Sequence, residues 1–67
     1  MFSDLFEGIN IGQKWVLNQQ PNGPVHSVFI QTAGSGGLSI TFQVEGDDAN
    51  TVERSIPWIK ANMTQVG

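Results

Sequence analysis

The residues able to do chemistry in this chain are few and lie apart. Ser35 sits between glycines in Gly34-Ser35-Gly36, and His26 is the single histidine, so a serine-histidine-carboxylate site has its residue types. The α/β-hydrolase elbow, however, needs Gly-x-Ser-x-Gly on a strand-to-helix turn, and Ser35 has neither that spacing nor that setting. It reads as part of a flexible loop. His26, near the start of an apolar strand, reads as a partly buried or surface histidine, and one His alone specifies no catalytic site. Glu45, Asp47, Asp48 and Glu53, with Asn50, gather hard oxygen ligands, but Gly46 precedes the aspartates, the reverse of a calcium loop. That cluster reads as a solvated hairpin turn, with an acidic recognition patch as the alternative. The amides of Gly34 to Gly37 are not followed by the lysine or helix that a phosphate cradle requires. Without cysteine there is no disulfide, no thiolate zinc site and no thiol nucleophile. The expectation is a protein that is not an enzyme and holds no cofactor and no metal.

Aromatic residues carry more information. Phe2, Phe6, Trp15, Phe29, Phe42 and Trp58 are the full set, more than a core of this size readily houses. Phe42 belongs to the core by its strand pattern. Trp58 follows Pro57 and is either packed at the edge of the fold or an anchor for a partner, since an exposed Trp buries a large area at little entropy cost. Phe2, Leu5 and Phe6 give the N-terminal segment an apolar side that must be covered, as a plug on its own domain or as a docking segment. Phe2, Leu5, Phe6, Trp15 and Trp58 are therefore the candidate partner-binding residues. The same rings, with Asn and Gln as donors, also suit a small molecule or carbohydrate. Single-stranded nucleic acid would need a cationic groove as well, which Lys14, Arg54 and Lys60 hardly supply.

The elements that position these residues must fit in 67 residues, which is one domain, 1–67, with one small core. A core of this size usually leans on a disulfide, a metal or a partner subunit. With the first two excluded, a protein partner or homo-oligomer, or unusually good local structure, remains. Three basic and six acidic residues give a net charge of −3, which argues against double-stranded nucleic acid. Charged residues make up 13% of the chain, about half the ordinary share, so the surface is largely neutral and polar and resists self-association weakly. No basic start with an apolar run marks a signal peptide, and no stretch approaches a membrane span, so a cytoplasmic protein without membrane contact is expected.

Along the chain, residues 1–11 form an N-terminal segment with one helical turn, capped by Asp4 and closed at Gly8 in the left-handed conformation. Gln13 to Asn18 alternates as a short strand with apolar character on both sides. Gln19 to Pro24 is a turn, and Val25 to Thr32 a second strand of which either face could be the buried one. Ala33 to Gly37 reads as a loop. Leu38, Ile40, Phe42 and Val44 alternate without a break against Ser39, Thr41, Gln43 and Glu45, one face core and one wet. Gly46 to Asn50 is a hairpin loop, and a fourth strand carries Val52, Arg54 and Ile56, with Glu45 or Gln43 as possible cross-strand partners of Arg54. Pro57-Trp58 suggests a 3₁₀ turn before a fifth strand over Ile59 to Val66; a helix from Pro57 to Gln65 is the competing reading, because Ile59 and Met63 sit four apart.

Five short strands at about ten-residue spacing make a mainly β fold, a small five-stranded barrel over residues 12–66. The central meander, the polar turn at Gly46 to Asn50 and Ile56-Pro57-Trp58 before the last strand resemble the layout of the SH3-like barrel; an OB-like barrel is the alternative. Peptide-binding members of that family carry a pair of tyrosines, and this chain has no Tyr, so polyproline binding is not implied. The function expected is that of a non-enzymatic protein–protein interaction or assembly module, of the kind that phage and mobile-element genomes encode as small structural or host-inhibiting proteins. A binder of small molecules, carbohydrate or single strands, using the aromatics and the Gly-rich loop, is the alternative.

Overall fold

The computed structural model describes residues 5–66. Five antiparallel strands and one short helix follow in the order β1 (Lys14–Leu17), β2 (His26–Gly34), β3 (Gly37–Val44), β4 (Thr51–Ser55), α1 (Ile56–Asn62) and β5 (Met63–Val66). They build one sheet in the order β4-β3-β2-β1-β5. β4 and β5 are its edges, and no ladder joins them among the described residues. No helix among these residues is long and apolar enough to cross a membrane.

β3 is the spine. Its unbroken alternation puts Ile40 and Phe42 at 0% exposure, and Ile9, Trp15, Val28, Ile56, Ile59 and Met63 close the core around them. The opposite face presents Ser39, Thr41 and Gln43, and Ser39 Oγ donates to Glu53 Oε2 across the ladder at 2.6 Å. The strand ends at Val44, the chain turns through residues 46–50 as expected, and Val44 N–H donates to the Asn50 carbonyl at 3.1 Å.

The glycine-rich stretch is tighter than expected. Gly34 pairs with Gly37, so only Ser35 and Gly36 form the turn, and the loop expected over Ala33 to Gly37 is a two-residue hairpin. Neither Ser35 nor Gly36 has a positive φ; Gly37, the first residue of β3, does, at +110°, a conformation that a side chain would strain.

β2 answers the question its own pattern left open, because neither face is buried along its whole length. Val28 stands opposite Phe42, but the next pairs are Ile30 with Thr41 and Gln31 with Ile40. Phe29 is thus the extra residue of a β-bulge, and directly opposed residues share a face. A regular strand would set Ile30 against Ile40 in the core. The bulge instead turns Ile30 outward and brings Gln31 to the inner side, where its Nε2 donates to the Ile9 carbonyl at 2.7 Å. Residues 9–13 run beside this part of β2: Gly12 N–H donates to the Val28 carbonyl (3.0 Å) and Val28 N–H to the Gln13 carbonyl (2.8 Å).

The fifth strand begins later than the alternation of Ile59, Ala61 and Met63 suggests. Ser55 caps α1, its hydroxyl accepting from Trp58 N–H at 3.4 Å, and Pro57 falls in the first turn, where its missing N–H costs nothing. Ile56, Ile59 and Met63 then face the core at spacings of three and four, so helical packing overrides the strand-like alternation. Neither expected span holds: the helix takes residues up to Asn62 and leaves four to β5, which pairs with β1 from Lys14–Val66 to Leu17–Met63.

At the N-terminal end, residues 5–8 form a turn in which Glu7 and Gly8 both have positive φ, as a left-handed closure requires. The expected cap, Asp4, lies outside the described residues. Phe6 packs against the core, and Glu7 pairs with Lys60 of α1 at 2.6 Å.

Candidate functional site

Two surfaces stand out, one apolar and one mixed. The apolar surface is made by the bulge. A regular strand sends one of two neighbouring residues inward, but here Phe29 and Ile30 are both exposed, at 50% and 45%. Ile11, 63% exposed, belongs to the segment hydrogen-bonded alongside. Three large apolar side chains therefore flank one irregularity in the sheet, in a chain whose few charges do not screen them. Leu5 is a further exposed apolar residue, at 61%.

The mixed surface is a cleft of about 260 Å³ where α1 and the start of β5 approach the ends of β1, β2 and β4. Leu17, Val52 and Met63 supply apolar wall, and Trp58, Arg54 and His26 supply the chemistry. The Arg54 guanidinium carbon lies 4.9 Å from the centre of the Trp58 ring, a cation–π stack that fixes both side chains at the rim. This stack, rather than a pair with Glu45 or Gln43, is where Arg54 is engaged; it stands opposite Ile40, and Glu45 pairs with Lys14 at 3.3 Å. Asn62 Nδ2 donates to the Trp58 carbonyl at 2.9 Å, which ties the polar end of the cleft to the helix backbone.

His26 lies at the inner end, 8% exposed, its ring edge-on to Phe42 at 6.3 Å between centroids. Its Nδ1 is sealed from solvent and has no hydrogen-bond partner. At that place a sealed N–H without an acceptor would cost more than a bare ring nitrogen.

The other sequence candidates separate. Trp15 is 9% exposed, within the core cluster, and its indole N–H donates to Gln13 Oε1 at 3.3 Å, so its ring is already covered by the protein itself. Phe6 is half-buried against the core, Leu5 is open, Trp58 is half-buried, and Phe2 lies outside the described residues. Among the described candidates, exposure therefore ranges from the covered Trp15 to the open Leu5. Ser35 is in the exposed hairpin, at the far end of β2 from His26. The acidic cluster is divided as well, with Glu45 on Lys14 and Glu53 on Ser39, and no group of His, Asp and Glu able to hold a metal occurs among the described residues.

Ile11, Phe29, Ile30 and Arg54 are the surface residues that sequence reasoning passed over. One signal was available for the apolar surface: Val28, Phe29 and Ile30 are three apolar residues in succession, and a strand cannot put all three on one face. No family model, curated protein or solved structure matches the chain.

Proposed function

We propose that this protein is a non-enzymatic interaction module that assembles with a second copy of itself through the apolar surface around the β2 bulge. The observation that carries this reading is the simultaneous exposure of Phe29 and Ile30 at the bulge, with Ile11 beside them. A chain that needed only its own core would place Ile30 against Ile40. Bulges re-aim side chains, and this one aims two large apolar groups at solvent. The low charge content favours the same outcome.

The scaffold we read as an SH3-like barrel rather than an OB-like one. The β2-β3-β4 meander, the helical turn before the last strand and the return of β5 to pair with β1 support that layout. The absence of tyrosine keeps proline-rich peptides out of the proposal.

Sedimentation equilibrium tests the assembly directly. The wild type is expected to dimerise or to form a higher oligomer at concentrations up to about 0.1 mM, and the double variant Phe29→Ser, Ile30→Ser to remain folded and monomeric. A wild type that stays monomeric over that range, or a double variant that assembles equally well, overturns the proposal.

A further inference from the structure

We infer that the cleft beside Trp58 binds a carboxylate carried on a small apolar group. The chain has three basic residues, and two of them are neutralised: Lys14 by Glu45 at 3.3 Å and Lys60 by Glu7 at 2.6 Å. Arg54 has no carboxylate partner among the described residues. Its Nη1 donates to the Glu53 carbonyl at 3.0 Å and its guanidinium carbon lies over Trp58, which leaves the rest of the guanidinium fork without an acceptor. In a chain of net charge −3, the one basic side chain without a carboxylate partner among the described residues lies on a concave surface whose lining contains no Asp or Glu. A guanidinium held over a ring is preorganised for the two parallel hydrogen bonds a carboxylate accepts.

The interior of the cleft adds a second requirement. His26 is more than nine-tenths buried, and the sealing of Nδ1 leaves Nε2 as the ring atom that an occupant can meet. Leu17, Val52 and Met63 give the body of the occupant an apolar wall, and Gln19, Gln20 and Asn62 complete the lining. A volume of about 260 Å³ admits one ring or a branched aliphatic group with its carboxylate, and little more. A free carboxylic acid and the C-terminal residue of an apolar-ended peptide share this chemistry. The cleft and the bulge surface have no residue in common, so the two proposals stand independently.

Calorimetric titration of the intact protein with 3-phenylpropionate and with its uncharged amide is the test. The acid is expected to bind with Kd on the order of 1 mM, and the amide at least tenfold more weakly. Arg54→Gln, at an exposed position, should keep the wild-type circular dichroism and lose at least tenfold in affinity for the acid, while the Phe29→Ser, Ile30→Ser variant binds it as the wild type does. The peptide Gly-Ser-Gly-Phe, as free acid and as C-terminal amide, distinguishes the sources: a peptide acid that binds more tightly than 3-phenylpropionate assigns the cleft to chain ends, and a weaker one assigns it to free acids. Equal binding of acid and amide, no binding of any acid at about 20 mM, or an Arg54→Gln variant with unchanged affinity overturns the inference.

Discussion

Ile30 and Ile40 have the same chemistry and would face each other in a regular β2–β3 ladder, so replacing each by alanine tests the bulge. Ile40 is 0% exposed, and its truncation is expected to cost about 2–5 kcal/mol, the transfer of the lost carbons plus the cavity they leave. Ile30 keeps 45% of its surface in water and stands over Thr41 on the outer face, so Ile30→Ala should cost less than about 1 kcal/mol. At roughly 0.05–0.15 kcal/mol per residue the whole domain of 67 residues has about 3–10 kcal/mol of stability, so Ile40→Ala removes a large share of it and, at the lower end, unfolds the domain. Ile40→Val, at about 0.5–1.5 kcal/mol, gives a measurable fallback on the same axis. Urea unfolding followed by the fluorescence of buried Trp15 reads all three, at protein concentrations low enough to dissociate any assembly. With a slope near 1 kcal/mol per molar, Ile30→Ala should move the midpoint by less than about 1 M, with the slope unchanged. An Ile30→Ala variant as destabilised as Ile40→Ala would mean that β2 runs without a bulge and that the apolar surface does not exist.

Two other substitutions test local geometry. Gly37→Ala should destabilise by about 1 kcal/mol or more because φ is +110° there, whereas Gly34→Ala, across the same hairpin with open space at its Cβ position, should be close to neutral; thermal melts of the pair check this. Ser55→Ala removes the cap of α1 and should cost about 0.5–1 kcal/mol in the same assay, at the low end because the hydrogen bond is long, at 3.4 Å.

The parts of the fold that were legible in the sequence are those whose pattern and environment agree. β3 alternates because one face packs on the core through Leu38, Ile40 and Phe42, and the turn at residues 46–50 carries its own chemistry. β2 could not be read because its buried face changes midway. The change depends on Gln31 reaching the Ile9 carbonyl, 22 positions away, which no local window contains. The last ten residues misled for a related reason: Ile59, Ala61 and Met63 fit a strand, yet Ile56, Ile59 and Met63 fit a helix, and the core chose the helix. For the sites, residue type was visible but convergence was not. His26, Arg54 and Trp58 come from β2, β4 and α1, and each alone has an ordinary explanation. Trp15 was a candidate for the surface because its strand is apolar on both sides; the pairing of β1 with both β2 and β5 encloses it.

The pairing of β1 with β5 has a kinetic side. The β2–β3 hairpin closes through a two-residue turn and the β3–β4 hairpin through a short loop, so both form from residues already near one another along the chain. The ladder from Lys14 to Val66 spans nearly the whole described chain and must wait until that meander and α1 have placed its two halves. Loop-closure entropy makes such a contact late to form and, at a sheet edge with only four residues, early to open. Amide hydrogens of β5 are therefore the ones to exchange with solvent ahead of those in β3, and Trp15, lying on the neighbouring strand, reports on that opening from inside the molecule.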